Sequence, residues 1–251
     1  MLEALDLNRK LTKADYRDQL PPLQHKLLHL QRLAWEAELA TIIVIEGWGA
    51  SGKGKVIDKL TRKLEPRGFN LHVIREPRTV ETHLPWMWRF WVRIPNWGEM
   101  AIFDRSWYWR VVRERLEHDL DRIQIEQAYR DINDFERALD NDRYHIVKFF
   151  LHLSKSEQRR RFEELEADPY TAWRVEPEDW TRHERYDQYL LAFEEMLEHT
   201  ETELCPWHLI EATDPRWERF RVFEILANEL EHELASRGFE LPQLPTSDWM
   251  D

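Results

Sequence analysis

The sequence predicts an α/β chain built on a parallel sheet, and three observations predict it. A β-branched run, Thr41 to Ile45, enters a glycine turn and then a helical pattern, and a further strand, Phe69 to Arg75, completes a strand-helix-strand unit. Two more apolar runs of strand length, Glu99 to Asp104 and Tyr144 to Leu153, follow across helical stretches. The turn itself, Gly47 to Lys53, matches GxxxxGK in the strand-to-helix context that this phosphate-binding motif needs.

Taken in order, Tyr16 to Glu38 carries Leu20, Leu23, Leu27, Leu28, Leu30 and Leu33 at helical spacing, with Pro21 and Pro22 expected to delay its regular part. After the first strand, Gly47, Gly49, Ala50, Ser51, Gly52, Lys53 and Gly54 form the candidate phosphate loop. Its glycines allow successive backbone N–H groups to face one concavity, the helix Val56 to Leu64 adds its positive dipole end, and Lys53 adds a mobile charge. The alternative is a glycine turn with a surface lysine. Gly54 stands where nucleotide triphosphatases place a Ser or Thr that binds Mg²⁺, so other groups must hold a metal.

From Thr79 to Pro95 the chain looks helical on either side of Pro85, with Trp88, Trp91 and Val92 on one face. Core packing is the favoured use of those aromatics over base stacking. The strand Glu99 to Asp104 ends in a carboxylate, as the second acidic motif of phosphate-loop proteins does, which makes Asp104 the metal-ligand candidate. Capping of a helix near Trp107 is the competing use.

Helices are expected over Trp107 to His118 and Ile123 to Leu139, then the strand Tyr144 to Leu153. Ser154 and Glu157 match a capping box ahead of Arg159, Arg160 and Arg161, which span about 200° of helix and so cannot all face one ligand. The turn-rich stretch Asp168 to Trp180 and a helix Thr181 to Glu198 complete an expected lid over residues 155–198, with a solvated surface helix pair as the alternative. A last strand, Trp207 to Glu211, a closing helix, Arg216 to Ser236, and a Pro-rich tail over 238–251 end the chain.

Composition sets outer bounds. The 251 residues suit one domain with an N-terminal helical segment, 1–38, and 13 Trp with 42% hydrophobic residues mark a globular chain. One cysteine, Cys205, excludes an intrachain disulfide and suits a reducing cytoplasm. No apolar run approaches the ~20 residues that span a bilayer, so no membrane partner is expected. A net charge of −12 argues against nucleic-acid coating, and a polyanion would need a local basic channel.

The segments IEGWGASGKGKVIDKL, EPRGF, WRFWVRIPNWGEMAIFDRSWY, FFLHLSKSEQRRRF and the DP and CPW segments together resemble the polyphosphate kinase 2 family over roughly Leu33 to Asn228. The resemblance implies a three-layer α/β/α P-loop kinase fold with a helical lid. It also implies Mg²⁺-dependent phosphoryl transfer between polyphosphate and a nucleotide, AMP or ADP leading, in a homo-oligomer. By the resemblance, Lys53 would hold donor and acceptor phosphates, Asp104 would bind Mg²⁺, Arg105 would contact phosphate and Arg161 would come from the lid. Arg110 and Arg113, with the lid's arginines, Arg174 among them, would extend a polyphosphate channel. Two positions depart from the family pattern: Gly49 replaces a common Asp, with Glu76 a possible substitute carboxylate, and Trp109 replaces a common Asn. In the lid, Thr171 replaces a frequent Lys. A catalytically weak binding subunit and an ATP-dependent small-molecule kinase are the rival expectations.

Overall fold

A computed structural model describes residues 1–118 and 120–241. Residues 242–251, most of the expected tail, lie outside the described residues. Five parallel strands form the sheet: β1 (Thr41–Gly47), β2 (Phe69–Val73), β3 (Met100–Asp104), β4 (His145–His152) and β5 (Trp207–Glu211), in the order β2-β3-β1-β4-β5. The chain leaves β1 toward β2 and β3 on one side and reaches β4 and β5 on the other. The carboxyl end of β1 is therefore a topological switch point, where open parallel sheets carry their ligand crevice.

The central strands are almost wholly buried and the edge strands are not. In β1 the first six residues are buried and in β4 the last seven, as both faces of a parallel sheet require cover. Helices α1 (Lys13–Glu36), α2 (Lys53–Thr61) and α9 (Pro215–Ser236) supply one layer, with α9 lying along β4, β5 and α1. Helix α5 (Arg122–Asn141) packs on β4 and against α8 (Tyr186–Thr200) in the other. The three-layer α/β/α architecture expected from the sequence is present.

Several boundaries differ from the expectations. Helix α1 does not start late: Thr12 caps it by accepting from the Asp15 N–H, and Pro21 and Pro22 lie inside it. Its buried face, Leu20, Leu27, Leu30 and Ala34, and its packing along α9 carry it through the missing N–H groups. Between Thr79 and Pro95 only a 3₁₀ turn, Glu81–His83, and α3 (Trp88–Trp91) form. There Met87 and Phe90 are buried while Trp88, Trp91 and Val92 are exposed, so the core contact runs through the other face of the turn.

The expected helix from Trp107 begins late, as a π-helical turn, Arg110–Glu114, followed by α4 (Arg115–Glu117). Ser154 does cap α6 (Lys155–Ala167), but Glu157 turns to Arg160 and Arg161 instead of back to the cap. The expected helix over Thr181 to Glu198 is two helices, α7 (Pro177–Glu184) and α8, joined at Arg185. Pro177 at the start of α7 suits a position whose N–H has no helical partner.

Candidate active site

The candidate phosphate loop grows directly from β1. Gly47 has φ 131°, and a Cβ there would lie 2.3 Å from the Leu151 carbonyl oxygen, so only glycine lets β1 leave the sheet beside β4. Gly52, at φ 109°, is the N-cap of α2, and Lys53 is that helix's first residue. The Lys53 side chain folds back over the loop, its Nζ donating to the carbonyl oxygens of Gly47 at 2.9 Å and Trp48 at 2.7 Å. A buried ammonium with only neutral acceptors is poorly compensated. Burial, and then the charge of Arg105, lower Lys53 to about 8, against the raising influence of Asp104, Glu46 and Asp179.

Pairing of Ile45 with Asp104 sets the ends of β1 and β3 at one level. The chain turns there through Arg105, at φ 63°, whose N–H donates to the Ile45 carbonyl. The Asp104 carboxylate has no hydrogen bond or ion pair among the described residues, and it does not cap a helix. Mg²⁺ takes one or two carboxylates and completes its shell with water and phosphate oxygens. A free carboxylate beside a phosphate loop fits that donor set, and no cluster of three or more candidate ligand side chains occurs among the described residues.

Glu46 was not legible as a site residue. It is the last residue of β1 before Gly47, buried, and accepts a 2.9 Å hydrogen bond from the Ser106 hydroxyl. Burial pushes it up to about 7, against the lowering effect of that hydrogen bond and of Lys53. The signal available was an acidic residue at the end of an otherwise apolar strand.

Helix α6 holds the loop from the other side. Gln158, Arg161 and Phe162 fall on one helical face. Gln158 Nε2 donates to the Gly49 carbonyl at 3.2 Å. Arg161 Nη1 donates to the carbonyls of Ala50 at 2.9 Å and Ser51 at 3.1 Å, and Nη2 donates to those of Ala212 at 2.5 Å and Thr213 at 3.1 Å. Its Nε donates to Glu157 at 2.8 Å, so all five guanidinium N–H groups are engaged within the protein. The ring of Phe162 covers Gly49: its Cζ lies 3.2 Å from where a Cβ at 49 would stand.

A cavity of about 70 Å³ lies between the loop, the Arg105 to Arg113 segment and helices α6, α7 and α8. Gly47, Gly49, Arg105 and Arg113 line it, together with Glu46, Asp179 and Arg182. Arg105 and Arg113 both lie over the Trp109 ring, 4.7 and 4.2 Å from its centroid, so Trp109 is a platform for two arginines that line the cavity. Glu117 accepts from Arg113 Nε at 2.5 Å, Arg182 Nε at 2.8 Å and the Tyr189 hydroxyl at 2.8 Å, joining the segment to α7 and α8. Burial raises Glu117, yet those hydrogen bonds outweigh it and hold the carboxyl below its ordinary value.

Other expected residues stand elsewhere. Arg110 packs over Trp86 and pairs with Glu114, Arg174 lies over the exposed Trp173, and neither lines the cavity. Glu76 is tied to Arg113 at 2.8 Å. A Cβ at Gly54 would meet nothing within 4 Å, so space does not dictate glycine there.

The family described as polyphosphate kinase 2 matches residues 10–238. The chain belongs to the polyphosphate kinase 2 family. It is 38% identical over 231 residues to the polyphosphate:AMP phosphotransferase of Pseudomonas aeruginosa, covering 92% of this chain and 47% of that protein. It is 30% identical to the GDP-polyphosphate phosphotransferase of Mycolicibacterium smegmatis, covering 92% of this chain and 82% of that one. The crystal structure of a polyphosphate kinase 2 from Arthrobacter aurescens superposes with a TM-score of 0.89 at 26% identity, over 98% of this chain and 89% of that chain. The chain thus spans about half the length of the Pseudomonas relative and most of the length of the other two.

Proposed function

We propose that this chain transfers a phosphoryl group between inorganic polyphosphate and a nucleotide, with Mg²⁺, and that AMP or ADP is the leading acceptor. The observation that carries the reading is the meeting of the Lys53 loop, Asp104 and Arg105 at adjacent ends of β1 and β3 in a member of this family. Backbone N–H groups of residues 49–54 cradle phosphate oxygens, and Lys53 leaves its own loop's carbonyls to follow the transferring group. Arg105, held over Trp109, faces the charge that develops on the equatorial oxygens. Asp104 would hold Mg²⁺, which would supply neutralisation of phosphate charge there.

The cavity is far below the ~300–1,000 Å³ of pockets that enclose whole ligands. Residues 155–198 therefore act as a lid that opens to admit a nucleotide and closes to exclude water. The reading includes a single kinase domain over the chain, with its N-terminal segment at 1–38 and its tail at 238–251, a homo-oligomer and a cytoplasmic location. The exposed Trp88, Trp91 and Trp97 support an interface, and the buried free thiol of Cys205 supports the location. No helix among the described residues is long and apolar enough to cross a membrane.

The deciding experiment is a turnover assay with long-chain polyphosphate, Mg²⁺ and AMP, ADP, GMP or GDP. Product with one or more acceptors is expected and identifies the nucleotide class; none with any acceptor overturns the catalytic reading. Phe162 over Gly49 favours a second reading, a weak or inactive member that binds polyphosphate or nucleotide as a subunit. Saturable polyphosphate binding without turnover would select it.

A further inference from the structure

The phosphate loop rests on a carboxyl that no motif marks. Glu218, in the first turn of α9, is 1% exposed. A Cβ built on Gly52 would lie 2.4 Å from its Oε1 and 2.7 Å from its Oε2, so the carboxyl fills the space that the glycine leaves. Its Oε1 is buried and has no hydrogen-bond partner among the described residues.

Cations surround this carboxyl without bonding it. The charges of Arg161 in α6, Lys53 and Lys55 in α2, and Arg219 in its own helix act on it. All five N–H groups of Arg161 are engaged elsewhere, and Lys53 donates to the loop carbonyls. An ionised carboxylate buried without a hydrogen bond is costly, and taking a proton from solvent removes that cost. Burial accordingly pushes Glu218 up to about 8, against those four cations. An anion arriving in the loop adds like charge on the far side of Gly52, across a medium of low dielectric constant.

We propose that Glu218 is a proton-carrying positioning residue of the phosphate loop: its carboxyl against Gly52 must be neutral for phosphate to occupy the loop, so phosphate binding draws a proton from solvent onto Glu218. The inference rests on the phosphate-loop reading above and goes beyond it. It assigns the loop a charge-compensating group contributed by the last helix. The proton bound on phosphate entry is released on phosphate exit, so no other reactant is needed.

The test is calorimetric titration of inorganic tripolyphosphate into the whole chain between pH 6.5 and 9, in two buffers of different ionisation heat. The parent is compared with Glu218→Gln and Glu218→Met, each checked for parental circular dichroism. Lys53 and the ligand also exchange protons, but they do so in all three proteins. At pH 8 the parent should take up about half a proton more per site than either neutral variant. Between pH 7 and 9 its affinity should fall about tenfold more than theirs. Equal uptake in all three proteins, or loss of binding in both neutral variants, overturns the inference alone. No binding by the parent at any pH overturns the phosphate-loop reading and the inference with it.

Discussion

Lys148 in β4 donates from Nζ to Glu136 Oε2 in α5 at 2.9 Å, and both side chains are almost wholly excluded from solvent. The remaining Lys148 donors reach the Tyr108 hydroxyl at 3.0 Å and the Thr200 carbonyl at 2.9 Å. Glu136 Oε1 accepts from Trp107 Nε1 at 2.9 Å and from the Tyr108 hydroxyl. A buried ion pair thereby bolts the residues just after Asp104 and Arg105 to the sheet and to α5.

Removing one partner leaves the other charge buried and unpaired. Lys148→Met should cost about 3–5 kcal/mol in chemical denaturation. Adding Glu136→Gln removes the stranded charge while keeping an acceptor for Trp107 and Tyr108, so the double variant should be more stable than Lys148→Met. A single variant within about 1 kcal/mol of the parent would show that the pair carries little of the fold.

Gly49 and Phe162 should behave as one unit. Introducing a carboxylate by Gly49→Asp places a Cβ 3.2 Å from the Phe162 ring, closer than packed atoms normally come. Gly49→Asp alone should lower the melting temperature. Gly49→Asp with Phe162→Leu should recover part of that loss and raise Mn²⁺ affinity, read by paramagnetic resonance. Independent, additive effects on stability would separate the two positions.

Glu46 supplies a pH dependence. Its folded value is raised by burial from 4.5 to about 7. Below pH 4.5 the group is neutral in both states and imposes no penalty. As pH rises from 4.5 toward 7 the unfolded chain loses its proton first, so stability falls, and the loss levels off above 7. Glu46→Gln should flatten the urea-denaturation slope between pH 5 and 7 by up to about 1.4 kcal/mol per pH unit. An unchanged slope would mean that Glu46 ionises normally in the folded chain.

The parallel sheet was legible because its strands are short β-branched or apolar runs whose burial depends on local pattern, and the loop because its glycines stand at fixed spacing between strand and helix. The place of Asp104 at a strand end beside the loop was legible as well. The partners of the site were not. Asp179 meets the loop only because α7 folds back over it, and Glu218 meets Gly52 only because α9 returns beneath α2, some 166 residues later in sequence. Helical periodicity assigned Trp88 and Trp91 to a core face, yet tertiary packing chose Met87 and Phe90. Which of three consecutive arginines faces inward likewise depends on carbonyls supplied by other elements.

Arg161 allows the two roles of a site arginine to be separated. Four of its five donors, in a rigid fork, hold Ala50 and Ser51 to the connection after β5, through Ala212 and Thr213. Lysine keeps the charge but has three donors on a flexible stem and cannot reproduce the fork. If the fork is what matters, Arg161→Lys should lose about 2–4 kcal/mol of stability. Hydrogen exchange over residues 48–52 should quicken, and the KM for polyphosphate should rise more than kcat falls, because the candidate phosphate loop is no longer held. If Arg161 instead turns toward the transferring group during the reaction, the same substitution should lower kcat with stability and loop exchange unchanged. Thermal unfolding and exchange of the unliganded chain decide between them before any turnover is measured.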